Sequence, residues 1–566
     1  MFTVTDSFNE KMNRALRPAL SVKITYGQID ANARDSAYVS DKSTELPFSN
    51  INQTLDDYRI KENIRIGTLE KDEFLTDGNY VFSPETQITD YEVGYRPDYL
   101  GDADGNINVT YEVSTEDNIN AVGISILFSE LLGQYATDFD VIVGSNTYVI
   151  TDNTKAFWQS DFSVTDVNTV KVVLKKWCKK YTRPKITQFN FGFYINFEND
   201  DLTKFDIDNK FNPISSQLSE STVNFTFLNI NKEYNPMELG DREKFIGERQ
   251  PITVSMGYDD EMLDIGYYEL SGKPSIDNST VELTGSSLVS KFDTIIPTTL
   301  YQNKTLYQIA IDLFNLAGIE KYNIDTALQN YTVTTVIQGK GRDILTDLLI
   351  ASCMQYWQDG ETVYIGTKSA TDTGFDITSN NTQNPSVTFD NQIQEIDCTI
   401  ISYQLGTTAE ELTTYTPTAD GTYTVSIDNA TDITVSGGTL VSSTLDSVTV
   451  SGTANIQITI SGKKLIENEI TVLKTDSAVE SGSTLKIQDN PFISSSTQAE
   501  AVIDWMFAYY SHTQAIDAKW RQNPALQTGD IIGIDMDYGN YNICIEENKL
   551  SMSGGGLSGE TKGRLV

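Results

Sequence analysis

The chain has 566 residues, too many for one hydrophobic core, because a domain commonly holds about 100–200 residues and roughly four units are expected. Its 41 basic and 79 acidic residues leave a formal charge of −38, which repels a phosphate backbone and disfavours direct grip on nucleic acid. A hydrophobic content of 39% with 10% aromatics excludes a disordered acidic tail, and the single histidine, His512, removes most imidazole-based catalysis and His-rich metal sites.

Residues Met1 to Asp6 show neither a basic n-region nor an apolar h-region, so no signal peptide is expected. Residues 1–75 read as a polar, weakly patterned N-terminal extension, apart from the alternating run Ser21 to Gly27. In 76–185, the runs Val141 to Val143, Thr147 to Ile150 and Val170 to Trp177 predict a β-sandwich, with a carbohydrate-binding module as one reading. The lysines of Val170 to Trp177 suit an exposed sheet edge. The most apolar stretch, Ala121 to Phe128, is strand-length and far short of a membrane span.

Arg183-Pro184 marks a boundary, since proline breaks the preceding strand. Residues 186–298 predict a first antiparallel β-barrel, from Val223 to Leu228, Gln250 to Gly257, Gly266 to Leu270 and Thr280 to Gly285. Residues 299–390 predict a small α+β domain. Leu306, Ile309, Ala310 and Leu313 recur at helical spacing before Gly318, a C′ glycine, and a second helix follows Arg342 with Leu345, Leu348 and Leu349. Residues 391–405 and 475–566 predict a second β-barrel. It carries a helix with the apolar face Val502, Trp505, Met506 and Tyr509, opened by a Thr497–Glu500 capping box. Between them, 406–474 is rich in Thr and Ser and repeats Thr-[Val/Ile]-Ser-Gly at 434–437, 449–452 and 459–462. These spacings are too irregular for a solenoid and fit an inserted β-sandwich. The fold class expected is mainly β with a smaller α+β part, in several domains.

The four cysteines, Cys178, Cys353, Cys398 and Cys544, form no CxxC pattern and read as buried thiols of a protein made in a reducing compartment. Gly339-Lys340-Gly341-Arg342 lacks the loop length of a phosphate cradle. Asp102-Ala103-Asp104-Gly105-Asn106 alternates oxygen ligands suited to calcium. An EF-hand register from Asp102, however, puts Ile107 and Val113 where Gly and Glu are needed, so an Asp-Gly turn is expected. Tyr148, Phe157, Trp158 and Trp177 offer faces for a sugar ring, core packing being the commoner use of such residues. His512 follows a helix end and reads as a surface residue. No catalytic, cofactor-binding or metal-ligating residue is singled out, and a non-enzymatic protein without a cofactor is expected.

The C-terminal motifs go further. Asn490-Pro491-Phe492-Ile493, the helix after it, and Trp520-Arg521-Gln522-Asn523-Pro524-Ala525-Leu526-Gln527-Thr528-Gly529-Asp530 resemble the closing barrel of bacteriophage tail hub proteins, the baseplate or tail-tip components of Gram-positive siphophages. The finish, Ser553 to Gly559, resembles their Gly-Gly-Leu strand. Lys304 to Ala310 with Ala317-Gly318 resembles the helix opening the hub's α+β domain, and Gln250 to Val254, Gly257 and Gly266-Tyr267-Tyr268 resemble its first barrel. The resemblance covers 186–566 outside the insert, and its specificity lies in the shared order of the motifs. The first 185 residues and the insert depart from the minimal pattern, and the sequence reaches Val566 without the C-terminal lysin domain of related proteins.

This resemblance implies a structural hub of a tail tip or baseplate. Such a hub is a homotrimer whose paired barrels form a pseudo-six-fold ring, joining the tail tube to the distal tip and allowing DNA passage during ejection. It implies distal tail, tail-tube and tape-measure proteins as partners, with tail fibres or receptor-binding proteins as further candidates. The location implied is the distal end of the virion tail, after assembly in the host cytoplasm. Neither sequence-specific nucleic acid nor a membrane span is expected. The alternative is a receptor- or carbohydrate-binding tail protein for host recognition, with 76–185 or 406–474 as the reader.

Overall fold

The computed structural model describes residues 1–55, 64–68, 70, 71, 78, 80–82, 93–229, 249–258, 260–277, 279–378, 381–553 and 556–566. It is mainly β and multidomain, with helices α1 (Asp6–Asn13), α2 (Ala31–Ser36), α3 (Leu306–Leu316), α4 (Gly341–Ser352) and α5 (Ser496–Tyr510).

Among the described residues, one sheet of fourteen strands forms the spine. Its path runs Gly192–Glu198, Ser21–Ile29, Pro251–Tyr258, Glu261–Leu270, Thr280–Ser286, Thr222–Leu228 and Leu202–Lys210. It continues without a break into Gly539–Ser553, Gly556–Leu565, Gln514–Trp520 and Thr382–Phe389. The first half curls back on itself: Phe197, on the first strand of the path, stacks on Phe227, several strands along, with ring centroids 4.3 Å apart. Alternation places Ile24, Tyr26, Phe205, Phe225, Val254 and Met256 in the core so enclosed. The second half encloses its own core of Ile516, Trp520, Ile532, Ile534, Ile543 and Ile545. Where the halves meet, Phe205 faces Met552 and Ile207 faces Leu550 in antiparallel register.

The strand pairings cross two of the boundaries expected from the sequence. Ser21–Ile29, placed in an N-terminal extension, is an interior strand between Gly192–Glu198 and Pro251–Tyr258, because Val22, Ile24 and Tyr26 give it a fully buried face. α1 adds Phe8 and Met12 to the same core. Thr371–Ile377 and Thr382–Phe389, placed in the α+β domain, pair instead with Asp530–Met536 and Gln514–Trp520.

Conversely, α5 and Ile393–Leu405, placed with the second barrel, pack with α3 and α4. Ile309 and Leu313 of α3, Leu345 and Leu348 of α4, Ile396, Cys398 and Ile400 of the strand, and Val502 and Met506 of α5 belong to one core. α3 starts at a capping box of Thr305 and Gln308. It ends in a Schellman motif, with Ile319 N–H donating to Phe314 O, Gly318 N–H donating to Asn315 O, and Gly318 at φ +63°. The capping box expected at Thr497 and Glu500 does not form: Ser495 alone caps α5, accepting from Gln498 N–H at 3.3 Å. The buried Gln498 amide fixes this start by donating to Ala351 O and Phe492 O, each at 2.9 Å.

On α4, burial, together with Asp343 and Asp489, pushes the Asp347 carboxyl up to about 7. The folded chain therefore keeps a proton that the unfolded chain has released between about pH 4 and pH 7, and folding stability falls as pH rises through that window. Asp347→Asn is expected to remove this loss, about 2–4 kcal/mol in total. The variant should equal the parent near pH 4 and exceed it at pH 8 in urea titrations, and an unchanged pH profile would refute the assignment.

Among the described residues, eight strands between Tyr38 and Asn190 form a two-sheet unit. Tyr38–Lys42, Asn106–Ala121, Val164–Trp177, Ala136–Val143 and Asn146–Ile150 pair in that order, and Gln188–Asn190, Ser125–Leu127 and Phe157–Gln159 form the second sheet. Both contribute to one core, with Tyr111, Phe128, Phe139, Val172 and Phe189. Val164–Trp177 is a central strand rather than an edge. Its solvent-facing Lys171 and Lys175 meet Glu112 at 3.4 Å and Asp140 at 2.6 Å on the neighbouring strands.

The Thr-rich segment has a small core of Val448, Val450, Ile458 and Ile460. One long strand, Ile458–Thr475, carries it. The beginning of this strand pairs with Glu410–Tyr415 and Ala430–Ser436 inside the segment, whereas Leu465 to Thr475 pair with Leu405 back to Glu395. The segment therefore stands on a two-stranded stalk, and its root lies at Leu405 and Leu465 rather than at 474.

Candidate functional site at the junction of the two sheet halves

The Trp520 to Asp530 motif lies where the sheet halves join, and its side chains explain its spelling. Trp520 Nε1 and Gln522 Nε2 each donate to the Thr561 hydroxyl at 2.9 Å, and that hydroxyl donates to Asn548 Oδ1 at 2.9 Å. Asn548 Nδ2 in turn donates to Leu526 O at 3.2 Å, and Asn523 Oδ1 accepts from Ala525 N–H at 3.0 Å. Gln522, Asn548 and Thr561 are fully buried, so each bond replaces water that cannot enter. Gly559, the last residue of the separate Ser553 to Gly559 finish, permits the close approach this requires: a Cβ there would lie 2.7 Å from Gln522 Cγ and 1.9 Å from Lys549 O.

The N-terminal segment straps across the same junction. Phe2 N–H donates to Ala525 O at 2.8 Å, and the Met1 ammonium meets Asp530 at 2.5 Å. Arg17 donates to Met12 O at 2.6 Å and to Gln522 O at 2.7 Å, and Arg521 donates to Ala15 O at 3.1 Å. Burial, with Arg521 nearby, lowers the Arg17 guanidinium to about 10. On the other flank, Arg564 lies 4.4 Å over the Tyr509 ring, pairs with Asp390 and Glu546, and donates to His512 O. This cluster fastens α5 to the second half of the sheet.

The outer face of the junction carries a charge ladder. Lys210 faces Glu547, Asp208 faces Lys549, Glu547 faces Lys562, Lys549 faces Glu560, and Asp517 faces Lys562 across successive strands. Opposite charges at facing positions stabilise this register and disfavour its neighbours.

A cleft of about 150 Å³ opens between both sheet halves and the α+β unit, lined among others by Asn212, Ser215, Tyr356, Gln358, Asp359 and Lys368. Lys368 sits with its ammonium 4.9 Å from the Phe211 ring centroid and 5.9 Å from that of Trp357. Nothing in the sequence pattern signals this residue.

The residues weighed from sequence are scattered. The Asp102 carboxylate accepts from Asp104 N–H and Asn106 N–H at 2.8 Å and from Asn106 Nδ2 at 2.9 Å, with Gly105 at φ +82°, so the segment is a turn closed on its own amides. Those bonds lower the Asp102 pKa, led by that from the Asn106 side chain. Trp177 is buried and donates to Gln134 at 3.0 Å, Trp158 packs edge-on against Phe139, Phe157 packs edge-on against Tyr194, and Tyr148 stacks on Phe162. All four aromatics are committed to packing. Lys340 precedes α4, and Arg342 pairs with Glu220 and Asp293. Of the four cysteines, Cys398 is buried, but Cys178 is exposed, contrary to expectation. Burial raises the Cys353, Cys398 and Cys544 thiols to about 11. His512 is exposed just past α5. Among the described residues, no three His, Cys, Asp or Glu side chains converge as metal ligands, and no helix is long and apolar enough to cross a membrane.

No protein-family model and no curated protein matches the chain. Among solved structures it is similar to a tail protein of prophage MuSo2 from Shewanella oneidensis, at 13% identity and TM-score 0.39, covering 66% of this chain and 95% of that one. It is also similar to a tail protein from Neisseria meningitidis MC58, at 8% identity and TM-score 0.38, covering 76% and 97%. A prophage tail protein from Listeria monocytogenes EGD-e follows at 10% identity and TM-score 0.34, covering 65% and 91%. At these scores the likenesses run along most of each chain without establishing a common fold.

Proposed function

We propose that the chain is a structural hub of a bacteriophage tail tip or baseplate, a homotrimer that joins the tail tube to the distal tip and leaves a passage for DNA. The observation that carries this reading is the Trp520 to Asp530 motif. The stretch that resembles hub barrels in sequence supplies the buried polar network at the seam of one continuous sheet. In this reading the two sheet halves serve as the paired barrels and the α+β unit sits beside them. The two-sheet unit and the stalked insert are decorations that meet neighbouring tail or fibre proteins. Tail-tube, distal tail and tape-measure proteins are its partners, and the distal end of the virion tail is its place. A net charge of −38 suits a passage that must not hold DNA. Three-dimensional electron microscopy of intact particles should show three copies in a ring at the tube end, and a peripheral knob or fibre would overturn the hub.

The hub role is non-enzymatic, and His512 provides the sharpest check. His512→Ala is expected to leave assembly and infectivity unchanged. The side chain can contribute at most about 1 kcal/mol at the negative end of a helix dipole. Cell-wall degradation by the purified protein that disappears in His512→Ala would refute this.

A further inference from the structure

The stalk of the inserted segment is a bare two-stranded ribbon. Leu465 to Thr475 pair with Leu405 back to Glu395 at every position, without a bulge. On the far side of the same strand, Ala430–Ser436 reaches only as far as Lys464. Leu465 N–H donates to Asn429 O on that far side, whereas Lys464 O accepts from Gly406 N–H on the near side, each at 2.8 Å. Successive residues of a strand turn their backbone groups to opposite sides. Glu467, Glu469, Thr471 and Leu473 therefore aim N–H and C=O away from the ribbon, and among the described residues no strand pairs with this edge. The side chains are equally open: Ile466, Ile470 and Leu473 are 51%, 62% and 58% exposed. Ile466 and Ile470 share one face, and Glu467 and Glu469 share the other. The nearby lysines are engaged elsewhere, Lys463 with Asp432, Lys464 with Glu410 and Lys474 with Asp504, so among the described residues neither glutamate meets a cation. Proteins ordinarily blunt such an edge with lysine, proline or a bulge. Between Ile466 and Leu473 none of the three occurs.

We infer that this edge receives an extended, basic segment of a partner protein, added as an antiparallel strand in line with Ala430–Ser436. The outward backbone groups of Glu467, Glu469, Thr471 and Leu473 supply the ladder, and the side chains set the sequence it accepts. Positions opposite Glu467 and Glu469 take lysine or arginine, and positions opposite Ile466 and Ile470 take apolar residues. The same edge of a second copy does not meet these demands. Ile466 to Leu473 contains no basic residue, and antiparallel self-pairing centred on Asn468 sets Glu467 opposite Glu469. Surface and occupant are independent of the hub role, since neither depends on where in a particle the chain sits.

The test is calorimetric titration of the full chain with the capped octapeptide TVTVKTKV, written to run from opposite Leu473 to opposite Ile466, and with its counterpart TVTVETEV. The lysine peptide is expected to bind, and the glutamate peptide at least about tenfold more weakly. Glu467→Lys combined with Glu469→Lys should reverse that preference. Thr471→Pro removes one outward N–H while leaving the pairing with the partner strand intact, and should lower affinity for the lysine peptide about tenfold. Hydrogen exchange gives a second readout: the peptide should slow the amides of Glu467, Glu469, Thr471 and Leu473. If Thr471→Pro does not fold, the charge reversal decides the matter. Absence of lysine-peptide binding, an unchanged preference in the charge-reversed variant, or unaltered exchange at the four amides overturns the inference. So does self-association of the parent chain that the charge reversal abolishes, which would make a second copy the occupant.

Discussion

Removing residues 406–464 and joining Leu405 to Leu465 through an Asn-Gly turn is expected to leave a soluble protein whose main unfolding transition shifts by no more than about 3 °C. Leu405 and Leu465 already face each other across an antiparallel pair, so the new turn closes a hairpin whose strands exist. The excised part takes its own core of Val448, Val450, Ile458 and Ile460 with it. Extending the cut to 474 should instead cause a large loss of stability or of soluble expression. That deletion strips Leu465 to Lys474 from the side of Ile393–Leu405, removing Val472 and Ile470 from their positions opposite Cys398 and Ile400. Cys398 and Ile400 belong to the core shared by α3, α4 and α5, so the damage spreads through the whole unit. Differential scanning calorimetry of the two deletions decides the point, since similar melting of both would show that the stalk is dispensable.

Thr561→Val is expected to cost about 2–5 kcal/mol, a large share of a typical domain's stability. The substitution keeps the shape of the side chain but removes the hydroxyl that accepts from Trp520 and Gln522 and donates to Asn548. Three buried groups then lose a partner that water cannot replace, and each such loss runs to about 1–3 kcal/mol before relaxation. Thr561→Ser keeps the hydroxyl and gives up one methyl group, so it should stay within about 1 kcal/mol of the parent. Urea unfolding of both variants provides the measurement. Equal losses would mean that the methyl contact, and not the network, carries the seam.

What the sequence disclosed was local, and what it concealed was mostly long-range. α3 could be read to its last turn because the spacing of Leu306, Ile309 and Leu313 and the glycine at 318 act within one helix. The period-two run at Ser21 revealed a buried face but not its neighbours, which lie more than 160 residues away at Gly192–Glu198 and Pro251–Tyr258. The lysines of Val164–Trp177 suggested an edge because their acidic partners, Glu112 and Asp140, are distant in sequence. At the candidate site, the spelling of Trp520 to Asp530 was visible and its purpose was not. Thr561, which holds the network together, lies outside the motif and is an ordinary threonine in a polar strand. Lys368 was invisible for a related reason: what distinguishes it is its seat over the Phe211 and Trp357 rings, which is a property of its surroundings.

The unbroken passage of the sheet from one half to the other has a mechanical consequence. Leu202–Lys210 and Gly539–Ser553 are hydrogen-bonded to each other and to the rest of their own halves, so no loop acts as a hinge between them. Tension applied to one half passes into the other through a ladder of backbone bonds that share the load, reinforced by the side-chain charges above it. Relative rotation would have to twist that whole ladder at once. The two halves respond to an external pull as a single stiff plate, and any change of shape must be taken up outside the shared sheet, as in the stalked insert.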